Sequence, residues 1–174
     1  MLRSPAVAGQ FYPGNKVSLV KALNSLIPDI KPEEKKEALA VISPHAGYIY
    51  SGGVAGETIG SVVVPENVII LGPNHTGHGA PVALMEQGSW DMPMGEVPVN
   101  NELAEEIAKS SPLIQVDEVA HRFEHSLEVQ VPFLQYIQKN LSIAPLVISH
   151  VSYKTCVTVG NALAEAIKNY GKPV

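Results

Sequence analysis

The stretch NVIILGPNH, residues 67–75, decides the fold class. It begins with a short apolar run, which is typical of a strand buried on both faces of a parallel sheet. Gly72 and Pro73 end that run, and His75 follows where ligands bind in open α/β sheets, beyond the carboxyl end of a strand. Similar apolar runs at residues 38–42, 82–85, 114–119 and 143–148 predict four further strands.

Segments with helical spacing of apolar residues separate these runs, at residues 17–27, 54–59, 100–110, 127–137 and 156–170. We expect two of these helices to be capped at their N-termini, one by Asn100 or Asn101 and the next by Ser126. Pro132 should kink or restart the helix that follows Ser126, and Gly171 should end the last helix. Alternation of strands and helices indicates an α/β protein, with a three-layer α/β/α architecture around a mostly parallel or mixed sheet. No internal linker is long enough to divide it, so residues 1–174 are expected to form a single domain.

Composition excludes several classes of protein. The chain has 174 residues, 45% of them hydrophobic, which is incompatible with intrinsic disorder. A net charge of −5 argues against nucleic acid as a partner, and no apolar run approaches the roughly 18 residues of a membrane span. The single cysteine, Cys156, cannot close an internal disulfide, so we expect a cytoplasmic protein in which Cys156 is a small core residue.

Two histidines directly follow predicted strands, His45 in SPHAGY (residues 43–48) and His75 in GPNH (residues 72–75). If the strands are parallel neighbours, both imidazoles lie at one edge of the sheet. Two neutral imidazoles suit iron, copper or zinc. The alternative for each histidine alone is a hydrogen bond to the backbone of its own loop. Their paired placement favours a metal site.

A third histidine, His125, precedes the predicted helix at 127–137. The partial positive charge of a helix N-terminus would keep its ring neutral, as a general base or a hydrogen-bond donor to substrate. The alternative is that Glu124 and His125 are ordinary capping residues. His150 also ends a predicted strand and could line the same edge, whereas His78 and His121 are expected to be solvated surface residues.

Three motifs resemble the Memo family, whose microbial members are also called AmmeMemoRadiSam system protein B: PHAGYIYSG (residues 44–52), LGPNH (71–75) and EHSLE (124–128). The opening PAVAGQFYP, residues 5–13, is similar to the start of that family. The resemblance implies the fold of LigB-like class III extradiol dioxygenases, with a non-haem metal at the edge of the sheet. It implies that His45 and His75 bind Fe(II) or copper, and that His125 lines the pocket as an acid/base or substrate-orienting group.

The chain also departs from the family pattern, because family members continue past this point through a strand and a further ligand-bearing segment. The third metal ligand, a carboxylate in the dioxygenases and a cysteine in the animal protein, has no matching position, and Cys156 does not fill it. Three explanations are open: a truncated or split gene, a partner chain or second copy that completes the sheet, or a site rebuilt from His150 or Glu124.

The leading functional hypothesis is a metal-binding, redox-active protein similar to the non-haem iron extradiol dioxygenases, acting on a small-molecule or peptide ligand. One alternative is a non-catalytic module that binds a peptide or small acid in the same cleft. Another is a zinc hydrolase, whose open coordination position would hold an activated water.

Overall fold

The computed structural model, which describes residues 1–174, contains seven strands and five α-helices. The strands are β1 (Leu2–Arg3), β2 (Asn67–Pro73), β3 (Val82–Leu84), β4 (Ser89–Trp90), β5 (Val97–Pro98), β6 (Gln115–Val116) and β7 (Ser142–Ile148). The helices are α1 (Lys16–Leu26), α2 (Tyr48–Gly60), α3 (Asn101–Ser110), α4 (Val131–Ile137) and α5 (Tyr153–Tyr170). None of them is long and apolar enough to cross a membrane.

The main sheet is mixed, with the strand order β2-β7-β3-β6. β2 and β7 run parallel over seven residue pairs, β3 is antiparallel to β7, and β6 is parallel to β3. A smaller sheet, β1-β4-β5, is formed by the chain's second and third residues and a hairpin. The predicted α/β class with a mixed sheet is therefore confirmed.

The helices form two groups, α3 with α5 and α1 with α2 and α4, and together with the sheet they make up the three-layer α/β/α architecture. Side-chain caps explain where three helices begin, since Asn15, Asn100 and Ser152 each accept a hydrogen bond from a first-turn amide. Gly171, at φ 69°, ends α5 in the left-handed conformation that the sequence predicts.

Close packing of α2 against α1 requires a glycine. A Cβ at Gly56 would lie 2.2 Å from the backbone oxygen of Leu26. The small residue at position 56 therefore brings the end of α1 directly onto α2.

Several local predictions are wrong. Residues 38–42 form no strand and are exposed, because they have no hydrogen-bonded neighbour in a sheet. The run at 114–119 contains only the two-residue strand β6. Ser126 caps no helix; its hydroxyl donates to the carbonyl of Pro73. Cys156 is exposed rather than part of the core.

Candidate metal centre

Three turns bring three histidines together at the carboxyl end of β2. His75 follows that strand directly, His45 precedes α2, and His125 precedes the short turn that leads into α4. The ring centres are 5.2 Å apart for His45 and His75, 4.5 Å for His75 and His125, and 6.1 Å for His45 and His125. A histidine nitrogen binds iron, copper or zinc at about 2.0–2.1 Å and lies roughly 1 Å from its ring centre, so rings sharing one ion have centres roughly 4–6 Å apart. Two of the three separations, those of His75 from His45 and from His125, fall within this range, and the third, between His45 and His125, lies just beyond it.

A buried carboxylate, Glu124, lies beneath two of these rings and is only 1% exposed. Its Oε1 accepts hydrogen bonds from the Nδ1 of His75 at 2.8 Å and from the amides of His125 and Ser126. Its Oε2 accepts from the amide of His75. Burial alone would raise the pKa of Glu124, but the hydrogen bonds from His75 and Ser126 outweigh it and lower the pKa to about 2.

The ionised Glu124 fixes the tautomer of His75. A carboxylate can only accept, so the Nδ1 of His75 carries a proton, and in the neutral imidazole the lone pair is then on Nε2. A carboxylate behind a histidine is the usual support of a metal-binding imidazole, because it orients the ring and increases its basicity. The oxygens of Glu124 are already engaged by four N–H donors, and this suits an orienting role better than ligation.

His125 is held in a more enclosed position, where the edge of the Phe11 ring lies against it with ring centres 4.9 Å apart. Burial lowers the pKa of His125, and the neighbouring His75 and His45 act in the same direction. The charge of Glu124 opposes this shift without cancelling it, so the lowered pKa favours the neutral ring. The sequence predicts a neutral ring from helix polarity, whereas burial is its main cause in the structure.

The tightest group of potential ligand atoms consists of His75, Glu124 and His125, all within 4.8 Å of one another. His45 lies next to this group but outside it. The structure thus brings together the three histidines singled out in the sequence, and the assignment of His45 and His75 as metal ligands stays a prediction. His150 is exposed and does not belong to the group.

Sequence reasoning missed the residues that support the site. Arg3 donates to the carbonyls of His121 and Glu124 and forms a buried ion pair with Glu128 at 2.8 Å. Glu128 also accepts hydrogen bonds from the hydroxyl of Tyr12 and the amides of Ala6 and Val7. This Arg3–Glu128 clamp ties the first residues of the chain to the segment that bears Glu124 and His125. The sequence feature that could have indicated these contacts is the EHSLE motif itself, which begins and ends with a glutamate.

His121 lies beside this clamp and corrects another prediction. It is 1% exposed rather than on the surface, and its Nε2 contacts the carbonyl of Ala83 at 3.1 Å. Burial, together with the positive charge of Arg3, lowers its pKa to about 4. His78 is exposed, as the sequence predicts.

A cavity of about 130 Å³ is lined on one side by His45 and on another by the end of β2. Its lining includes Gln130, whose Nε2 donates to the carbonyl of Pro44 and whose buried Oε1 has no partner. Gly72 also lines it, and a Cβ there would lie 2.4 Å from the Leu127 side chain. Only glycine lets the end of β2 approach the EHSLE segment this closely.

A family model described as "Memo-like protein" matches residues 3–174 of the chain. A "MEMO1 family protein" of Aquifex aeolicus is 45% identical over 168 residues, which cover 96% of this chain and 62% of the relative. MEMO1 family protein TK1477 of Thermococcus kodakarensis is 42% identical, covering 100% of this chain and 62% of the relative. MEMO1 family protein MTH_45 of Methanothermobacter thermautotrophicus is 41% identical, covering 99% and 66%.

The fold and the site define a three-layer α/β/α protein with a cluster of histidines at the edge of its sheet. The sequence comparisons match this chain to one family along its length. The chain belongs to the Memo family. It spans about three fifths of the length of the first two of these relatives.

Proposed function

We propose that the protein binds iron or copper and is redox active, in the manner of the non-haem iron extradiol dioxygenases, toward a small-molecule or peptide ligand. The observation that supports this most is the meeting of His45, His75 and His125 above the buried Glu124. Imidazole nitrogens suit iron, copper and zinc, and the His75 side chain is 42% exposed, so an ion and a ligand can reach it.

In this proposal His45 and His75 hold the metal, and Glu124 keeps the His75 ring oriented with its Nε2 free. The bound metal would polarise a ligand oxygen or exchange electrons with it. His125 has the role of an acid/base group, because a neutral imidazole can accept a proton from a ligand hydroxyl or donate a hydrogen bond to it.

Metal content tests the proposal. The protein is purified without oxygen, its metals are measured by elemental analysis, and Fe(II) and copper are titrated into the metal-free form. We expect about one ion per chain, and loss of that ion in the double variant His45→Ala/His75→Ala. His78→Ala, which changes an exposed histidine outside the group, is the matched control and retains the metal. Undiminished metal in the double variant refutes the proposal.

The single variant His125→Ala separates metal binding from proton transfer. We expect it to bind metal within a few-fold of the unmodified protein while losing the pH dependence of any reaction with a catechol-type ligand. If His125→Ala instead loses the ion, His125 is itself a metal ligand. Its ligand atom lies close enough to those of His75 and Glu124 for this role.

Two outcomes favour the alternative functions. Zinc at full occupancy after anaerobic purification favours the hydrolase, because the open position of zinc activates water. Ligand binding that survives a chelator favours the non-catalytic module. We also propose a cytoplasmic location, since the lone Cys156 is exposed as a free thiol, which a reducing compartment preserves.

A further inference from the structure

A second cavity, of about 460 Å³, is lined by residues 1–6, Met85, Glu118 and residues 121–123. None of the three clustered histidines lines it, so it is separate from the candidate metal centre. Its volume lies within the range of small-molecule sites, roughly 300–1,000 Å³. The metal centre therefore does not account for this cavity.

The cavity wall includes a buried hydrogen-bond acceptor that has no donor. His121 lines the cavity and is 1% exposed, and its Nδ1 has no hydrogen-bond partner. Its Nε2 contacts the carbonyl oxygen of Ala83, which can only accept, so the proton of the neutral ring is on Nε2 and the lone pair is on Nδ1. A buried acceptor without a donor is unfavourable, and an N–H or O–H group of a molecule in the cavity would satisfy it.

Two opposite charges on the same wall also lack partners. Glu118 and Arg122 flank the 3₁₀ turn Val119–His121, and both line the cavity. Neither side chain takes part in an ion pair. Residues three and four apart on a helical turn lie on one face, so the carboxylate of Glu118, the imidazole of His121 and the guanidinium of Arg122 share this wall.

The other cationic side chain of the cavity is already engaged. Arg3 forms the buried ion pair with Glu128, which leaves Arg122 as the cation available to a ligand. Much of the remaining lining is apolar, with Met85 buried and Phe123 62% exposed. A ligand would therefore meet one positive charge, one negative charge, one neutral acceptor and an apolar surface.

We infer that this cavity binds a free α-amino acid with an apolar side chain. Its ammonium group would donate to the Nδ1 of His121 and to the carboxylate of Glu118, and its carboxylate would accept from the guanidinium of Arg122. Charge-assisted hydrogen bonds of this kind are stronger than those between neutral groups. The apolar side chain would pack against Met85 and Phe123.

A zwitterion fits the cavity better than a ligand with a single charge. A simple carboxylic acid would pair with Arg122 but would leave Glu118 unpaired and His121 without a donor. A simple amine would leave Arg122 unpaired. This inference is independent of the proposed metal chemistry, because it uses none of the residues that would hold the ion.

Free amino acids are the probes in the first test. Each apolar L-amino acid other than tryptophan is titrated into the 174-residue chain by calorimetry. We expect at least one of them to bind, one per chain, with a Kd below about 1 mM. Trp90, the only tryptophan, has its ring centre 6.4 Å from that of His121, so its fluorescence should change as the cavity fills.

Two analogues of the tightest-binding amino acid test the role of each charge. One lacks the ammonium group and the other lacks the carboxylate, while both keep the side chain. We expect each analogue to bind about tenfold more weakly or worse, because each loses a charge-assisted contact.

Variants of the cavity wall locate the site. Glu118→Gln and Arg122→Gln change side chains that are not buried, so the chain still folds, and each should weaken binding about tenfold or more. His121→Phe keeps a ring but removes the acceptor and should also weaken binding. Lys154→Gln changes an exposed cation of α5 outside the cavity and should have no effect.

Four results would overturn the inference: no binding by any apolar amino acid, an analogue that binds as tightly as the amino acid, unchanged affinity in Arg122→Gln, or equal weakening by Arg122→Gln and Lys154→Gln. Crystals grown with the amino acid in which only a water molecule donates to the Nδ1 of His121 would overturn it as well.

Discussion

At the scale of single residues, the chemistry of the site depends on one proton. Glu124 is ionised and buried, and its contact with the Nδ1 of His75 leaves the Nε2 of that ring able to bind an ion. The sequence presents Glu124 as a capping residue or as a substitute metal ligand, but not as the support of His75, because nothing in the order of residues shows that four N–H donors from two separate turns converge on its side chain. The histidines themselves could be predicted, since each follows or precedes a recognisable element.

Replacing Glu124 by glutamine should weaken metal binding about 10- to 100-fold, because the neutral amide no longer increases the basicity of His75. Isothermal titration of Fe(II) or copper into metal-free protein measures this. Glu105→Gln removes an exposed carboxylate of α3 and should leave the affinity unchanged. Equal affinity in the Glu124→Gln variant would show that the carboxylate does not support a metal ligand.

His121 should make the fold sensitive to mild acid. Burial lowers its pKa from 6.5 to about 4. Between these two pH values the imidazole is protonated in the unfolded chain but neutral in the folded chain. Stability from this group is complete above pH 6.5 and declines as the pH falls toward 4, by up to about 3 kcal/mol. Urea unfolding from pH 7 to pH 5 should show a smaller decline in His121→Gln than in the parent or in His78→Gln. If the free energy of unfolding falls equally with pH in all three proteins, burial of His121 does not lower its pKa.

At the scale of elements, an apolar run forms a strand only where another strand lies beside it to share hydrogen bonds. The apolar runs at 67–73 and 142–148 pair along their full length, and both were predictable from their composition. Residues 38–42 are equally apolar but have no strand beside them, so composition alone gives the wrong result there. This segment leads directly into His45.

Two glycines of α2 should respond oppositely to alanine. Gly56→Ala would press a methyl group onto the backbone oxygen of Leu26 at 2.2 Å, which should cost about 3 kcal/mol. Gly53 has nothing within 4 Å of its Cβ position, and Gly53→Ala should stabilise the helix by about 0.5–1 kcal/mol. Chemical denaturation of the two variants measures both effects. A similar change in both would mean that α1 and α2 do not pack as closely as described.

At the scale of the whole molecule, the beginning of the chain is part of the site. Arg3 lies more than 115 residues from each of its three hydrogen-bond partners, His121, Glu124 and Glu128, and its guanidinium stacks 4.1 Å from the centre of the Trp90 ring. Sequence patterns reveal periodicity and turns but not which distant charges will pair in the interior. For that reason the clamp could not be predicted.

The clamp predicts strong coupling between Arg3 and Glu128. Arg3→Met leaves a buried carboxylate without its cation and should cost about 3–5 kcal/mol. Adding Glu128→Gln removes that unpaired charge, so the double variant should lose less than the sum of the two single losses, with a coupling energy of about 1–3 kcal/mol. The surface pair Lys109–Glu106, changed to methionine and glutamine in the same way, should show no measurable coupling, because water screens the charge of the exposed lysine. Urea unfolding measures both cycles. If the Arg3 and Glu128 losses simply add, the ion pair does not join the beginning of the chain to the segment that bears His125.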